Sequence, residues 1–173
     1  SYSSANEVTF GSPTVLRCDN NVLNIDVDNT VDVVAVEIVF EISGSGGAWM
    51  DSYTVDWVAG FTELGTRFID LSQADGNSPD TIRMAATLID SSDAMLMVGA
   101  RTVATVSFST NASCGGAVSL DGVVFDYPIP ATIETQFVDA STFDIVDVTV
   151  NAGTVTWTNT APALAVIPNA SIG

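Results

Sequence analysis

The sequence predicts an all-β protein, a two-sheet antiparallel sandwich of about nine to ten strands and of jelly-roll or immunoglobulin-like type. Three observations predict it. Every second side chain from Val34 to Ile42 is apolar while Asp32, Glu37 and Glu41 interrupt the rest, which is the period of a half-buried strand and not of a membrane helix. The same alternation recurs along the chain, each run bounded by Gly, Asn, Asp, Ser or Pro. No segment carries a convincing helical period.

Taken in order, strands are expected near 7–16, where Val8 and Phe10 stand, and near 22–28, written as Leu23/Ile25/Val27. The long run 32–43 follows, then 52–58 with Tyr53/Val55/Trp57, 66–71, and 81–90 with Ile82/Met84/Ala86/Leu88. Residues 101–110 carry Ala104/Val106/Phe108, and 116–125 and 131–138 lead to 144–157 with Val146/Val148/Val150, bent at Asn151–Gly153. Gly44–Gly47 and Ala74–Asp80 are the main loops, and Asp90–Met97 has the composition of a single short turn.

At 173 residues the chain is one domain able to bury most of its apolar surface without a metal or a mesh of disulfides. Its 21 acids face four cations, all arginine (Arg17, Arg67, Arg83, Arg101), for a net charge of -17. Nucleic acid needs a basic footprint, so it is excluded as a partner, and an anionic membrane surface is disfavoured on the same ground. No transmembrane span is read, and no membrane insertion is expected. Charged residues make up 14% of the chain, against about 25% in an average soluble domain. Part of the apolar surface is therefore expected either under a neighbour or under glycans. The absence of a leader at Ser1 reads as a mature exported chain or an excised module.

Cys18 and Cys114 are the two cysteines. In an acidic, lysine-free, Ser/Thr-rich chain suited to the cell exterior they are expected to pair, closing a loop worth about 4–5 kcal/mol in the chain-entropy account. Residues 1–158 form the expected sandwich, and 159–173 form an apolar, proline-punctuated extension. A segment this apolar should not stand in water.

Several stretches resemble cohesin modules, the jelly-roll sandwiches known as dockerin receptors in bacterial cellulose-degrading scaffolds, with relatives in surface proteins. The residues that carry the resemblance are Val22–Asp28, Val33–Ile42, Thr102–Phe108 and Ala152–Trp157, whose order and spacing cover most of the chain. The sequence departs from such modules after Phe40, where a glycine-rich Ser43–Asp51 with Trp49 replaces their turn and next strand. The resemblance implies a cohesin-like fold and a dockerin as partner, and it carries over no contact residue. Asn159–Leu164 further resembles joints between tandem modules of bacterial surface proteins.

Catalysis is poorly supplied. With no histidine and no lysine there is no Ser-His-Asp or Cys-His arrangement, no imidazole ligand and no Schiff base, and no catalytic residue is assigned. Asp26, Asp28, Asp32, Glu37, Glu41 and Asp147 read as solvated strand faces rather than glycosidase pairs. Calcium is the one metal the sequence can hold, through Asp75, Asn77 and Asp80, although turn chemistry explains these residues equally well and the spacing is not that of an EF-hand. No organic cofactor is expected. Asn111 and Asn169 head sequons for N-linked sugar.

The leading expectation is a secreted or cell-surface structural module without enzymatic activity, joined head-to-tail to copies of itself or to adjacent modules. Strand addition would make the joint, with Leu164, Val166 and Ile167 or the N-terminal Val8 and Phe10 as donors. The alternatives are a cohesin proper, docking a calcium-dependent helical dockerin, and a carbohydrate-binding module using Trp49, Tyr53, Trp57, Tyr127 and Trp157.

Overall fold

The computed structural model describes residues 5–16, 20–45, 50–74, 78–110, 117–126 and 132–158, and among these there is no helix. Fifteen strands follow one another: β1 (Asn6–Phe10), β2 (Thr14–Leu16), β3 (Asn20–Asn29), β4 (Val33–Gly44), β5 (Met50–Trp57), β6 (Thr66–Gln73), β7 (Asp80–Thr87) and β8 (Gly99–Thr110). The series ends with β9 (Val118–Gly122), β10 (Phe125–Asp126), β11 (Thr132–Ile133), β12 (Gln136–Asp139), β13 (Ile145–Val146), β14 (Val148–Asn151) and β15 (Gly153–Thr158).

They form two facing sheets and a short β10–β11 ribbon. The first sheet has the order β14-β1-β3-β8-β5. The second has the order β13-β12-β4-β9-β15-β2, with β7 pairing β4 and β6 pairing β7. The centre of the second sheet is β4, matched by β7 along one edge from Ala35↔Thr87 to Ile42↔Asp80. Its other edge is shared by β12 (Glu37↔Gln136) and β9 (Glu41↔Asp121).

The expected strands at 7–16 and 144–157 are each broken, because each changes sheet. Residues 6–10 lie in the first sheet and 14–16 in the second; likewise 145–146, 148–151 and 153–158 alternate between the two. The broken segments run side by side, so β1 pairs β14 and β2 pairs β15 in parallel within an otherwise antiparallel sandwich. They turn together at Gly11–Pro13 and Ala152. A Cβ on Gly153 would meet the Gly11 carbonyl oxygen and lie 2.8 Å from Phe10 Cβ, so the corner is closed only by glycine. Segment Asp90–Met97, where a single short turn is expected, turns only at Ser91–Ser92 and then runs irregularly, with one isolated bridge between Leu96 and Val33.

The core follows from the alternation. Val8, Phe10, Leu23, Ile25, Val27, Ala104, Val106 and Phe108 point inward from the first sheet, and Val36, Ile38, Phe40, Ile42, Ile82, Met84, Leu120, Phe137 and Val155 meet them from the second. Phe10 and Phe40 touch across the gap with ring centroids 5.0 Å apart. One side of the sandwich is closed by residues 58–65, which bury Phe61 and Leu64. Trp57 stacks on Phe61 at 5.5 Å, and Arg67 lies 4.6 Å over the same ring while donating to the Leu64 and Glu63 carbonyls. Arg101 pairs with Glu63 at 2.9 Å.

Two poles result. The turns at 30–32, 88–98 and 140–144 gather at the Val33 end of β4, tied by Val33–Leu96 backbone bonds and by Ala140 N–H donating to the Asp32 carbonyl. Strand β1 enters there, with Asn6 Oδ1 accepting from Thr30 N–H at 2.9 Å. At the opposite, Gly44 end, β15 leaves beyond the Val155↔Val118 and Gly44↔Val118 pairs. These are called the entry and exit poles.

Replacing Gly153 by alanine should cost about 1–3 kcal/mol through overpacking at the corner. Gly60→Ala, where no atom lies within 4 Å, should change stability by less than about 0.5 kcal/mol in the same denaturant titration. Asp80 is fully buried and accepts the Tyr53 hydroxyl at 2.6 Å. Tyr53→Phe should therefore lower the unfolding free energy by about 1–3 kcal/mol, and an unchanged denaturation midpoint would show that this bond is dispensable.

Candidate binding surface

The two sheets each present an outer face to solvent, and register decides what each displays. On the first sheet the outward positions are Glu7 and Thr9 (β1), Val22, Asn24, Asp26 and Asp28 (β3), Thr105, Ser107 and Ser109 (β8) and Ser52, Thr54 and Asp56 (β5), and Val22 is its one exposed large apolar side chain among the described residues. The hydroxyls satisfy one another and the acids: Ser52 and Ser109 lie 2.9 Å apart, and Thr102 donates to Asp26 at 2.5 Å. Among its described outward side chains this face has no aromatic ring and no cation. It is an acidic, hydroxyl-covered surface.

The outer face of β12–β4–β7–β6 differs. Gln136, Glu37, Ala85 and Phe68 stand in one cross-strand row, and Arg83 stands beside Val39 and Asp70 in the next. Arg83 Nε donates to Glu37 Oε1, Gln136 Nε2 donates to Glu37 Oε2 at 3.0 Å, and the Arg83 guanidinium lies 5.2 Å over the Phe68 ring. The Glu37 and Arg83 side chains keep 14% and 31% of their exposure, while Phe68 is 44% exposed. Ala35, Ala85, Thr66, Thr81 and Thr87 stand around this centre, and Val39 in the next row is fully buried. A fixed arginine and an exposed ring among small neighbours is the composition of a protein-binding patch.

The entry pole is the other distinctive surface. Two of its turns are stiffened by their own aspartates. The Ser141 hydroxyl and N–H and the Thr142 N–H donate to Asp139 and hold its carboxyl below the usual 3.8. The Ser92 N–H and hydroxyl do the same for Asp90. Because both folded values are depressed, these caps persist above the ordinary aspartate range and are lost only as pH falls below it.

The sequence-predicted residues distribute as follows. Val8 and Phe10, named as N-terminal donors, are buried in this chain's own core, and β1 is paired on both edges by β3 and β14. Glu7–Phe10 is thus an internal strand with no open edge. Asp80 faces inward to Tyr53, Asp75 and Asn77 lie outside the described residues, and among the described residues no three His, Cys, Asp or Glu side chains converge on a metal position. Cys18 and Cys114 also lie outside the described residues. Leu164, Val166, Ile167, Asn111 and Asn169 fall outside as well. The sugar platform does not form among the described rings, since Tyr53, Trp57 and Trp157 all pack against the core, while Trp49 and Tyr127 lie outside the described residues. No helix among the described residues is long and apolar enough to cross a membrane.

Sequence reasoning missed the Gln136–Glu37–Arg83–Phe68 group, whose members meet only through pairings 46 and 99 residues apart. It also passed over the exposed apolar residues of 89–98, whose spacing fits neither a strand nor a helix.

No protein-family model and no curated protein matches the chain. Solved structures do. The sixth cohesin of scaffoldin B from Acetivibrio cellulolyticus, in complex with a mutant Cel5 dockerin, superposes with a TM-score of 0.64 at 13% identity, over 90% of this chain and 100% of that one. The Coh-OlpA–Doc918 cohesin–dockerin complex from Clostridium thermocellum gives 0.61 at 11% identity, over 90% and 100%. A non-cellulosomal cohesin from the hyperthermophilic archaeon Archaeoglobus fulgidus gives 0.55 at 13%, over 90% and 92%. The fold is a cohesin-like β-sandwich, as the resemblance in sequence implied.

Proposed function

We propose that this chain is a protein-recognition module without catalytic activity, which docks a compact helical partner of the dockerin kind on the outer face of β12–β4–β7–β6. The observation that carries the reading is the Glu37–Arg83–Phe68 group, which runs from β4 to the edge strand β6 on one outer face of a cohesin-like fold. The salt bridge fixes the guanidinium before binding, so little side-chain entropy remains to be lost, and the ring supplies apolar area with few rotatable bonds. The opposite face, with its carpet of hydroxyls and carboxylates, is best satisfied by water. The lack of histidine and lysine in the sequence supports a role without covalent or acid–base chemistry.

Titration against a panel of calcium-loaded dockerins should yield a partner. Phe68→Ala and Arg83→Ala should each weaken it by about 2 kcal/mol, roughly thirtyfold, and Thr54→Ala on the other face should leave affinity within about twofold. Equal losses at Thr54 and Phe68, or no binding by any member, would count against this face.

A second reading, head-to-tail assembly of a secreted or surface protein through its terminal segments, is favoured by a different observation: β1 enters at one pole and β15 leaves at the other. A joint between opposite ends does not close on itself and so propagates. The full chain should then form concentration-dependent oligomers in light scattering, and deletion of 160–173 should leave a folded monomer.

A further inference from the structure

We infer that the entry pole is an acceptor groove for the C-terminal segment, residues 159–173, of a second copy of this chain. This rests on the head-to-tail reading and assigns its contact. Six of the ten exposed large apolar side chains among the described residues stand at this pole: Ile89, Met95, Met97, Val98, Phe143 and Ile145, between 41% and 72% exposed. Their turns adjoin around an open cavity of about 380 Å³ in which Val31, Met95, Val98 and Ala140 stand beside Asp32, Asp139 and Ser141. An apolar cluster of this kind on a soluble sandwich marks an interaction site.

The groove is preformed. Asn29, fully buried, donates from Nδ2 to the Val31 carbonyl at 2.7 Å and to the Met97 carbonyl at 3.0 Å, joining two of the turns. Val98 N–H donates to Asp32 Oδ1 at 3.0 Å. Phe143 is held at φ 60 with its ring 72% exposed, a strained backbone for a bulky residue that no burial within this chain offsets. Beside it, β13 is the terminal strand of its sheet, so its outer edge has no partner among the described residues and can receive an extended segment.

Charge and reach select the occupant. Asp32 and Asp139 line the cavity and Asp90, Asp93 and Asp144 stand on the adjoining turns, against one cation, Arg101, which donates to the Met97 carbonyl, so in a chain of net charge -17 a second acidic surface would be repelled. No Asp, Glu, Lys or Arg follows Asp147, and within Ala161–Ile167 Leu164 and Val166 are spaced two apart, as an added strand requires. This segment brings apolar area without charge. The chain's own groove is out of range for Leu164–Ile167, at most nine residues past Thr158. Leu164 lies six residues past Thr158 and reaches at most about 20 Å, whereas the twelve residues of β4 put the poles about 40 Å apart. A neighbour stacked end to end meets no such limit.

The test uses the full chain. At a concentration where the chain is monomeric, dilute peroxide oxidises exposed methionines, and mass spectrometry follows each one. A synthetic peptide of residues 159–173 should slow oxidation of Met95 and Met97 by the factor 1 + [peptide]/Kd, about fivefold at four times Kd, and leave the fully buried Met84 unchanged. Met97→Glu in the groove and Leu164→Asp in the segment should each convert oligomers to monomers in light scattering. Leu164→Asp changes no residue of the described strands, so it keeps the test meaningful should Met97→Glu fail to fold. Unchanged methionine oxidation at about 1 mM peptide, with Met97→Glu still assembling through a joint that deletion of 160–173 abolishes, would overturn the groove while sparing head-to-tail assembly. A full chain that stays monomeric, with no protection by the peptide, would overturn both.

Discussion

The inward row of β4 (Val36, Ile38, Phe40, Ile42) makes the largest single contribution to the core, and its outward row carries Glu37 and Glu41. Both surfaces are set by one register. A slip of one residue against β7 would send Glu37 into the apolar layer and expose Phe40, so burial of four large side chains specifies the pairing strongly. That same register brings Arg83 to Glu37 and Phe68 to Ala85. The outer face is therefore a by-product of how the core is held.

With only four arginines and no lysine, the position of each cation carries information. Arg67 and Arg101 secure residues 58–65, where Phe61 and Leu64 seal the side of the sandwich between β5 and β6. Arg83 is the remaining described arginine, and it stands on the open sheet. Paired with Glu37, its guanidinium offsets a carboxylate on that face, which lowers the local repulsion of an approaching acidic partner.

Alternation was readable because it is a property of neighbours in sequence: Leu23/Ile25/Val27, Ile82/Met84/Ala86 and Ala104/Val106/Phe108 fall in the core as their period requires. The sheet changes at 11–13 and 147–152 were not, since the apolar pattern of Val146/Val148/Val150 continues unbroken while the backbone passes from one sheet to the other. Only the bend at Asn151–Gly153 left a sign, through a glycine that nothing larger could replace. The docking group was invisible for a related reason. Phe68 and Glu37 are ordinary strand residues until a register between distant strands makes them neighbours, and Val8 and Phe10, apolar and near the start of the sequence, look the same whether they pair with their own sheet or with another's.

The molecule thus separates two kinds of surface, a sheet face set by register and a pole set by turns. Amide chemical-shift mapping of the isotope-labelled chain, titrated with a dockerin-type partner, tests the central claim most directly. The account predicts perturbations clustered on the amides of 35–41, 66–70 and 81–87, with residues 22–28 and 105–109 unmoved. Perturbations concentrated on 22–28 and 105–109, with Glu37, Phe68 and Arg83 silent, would contradict it.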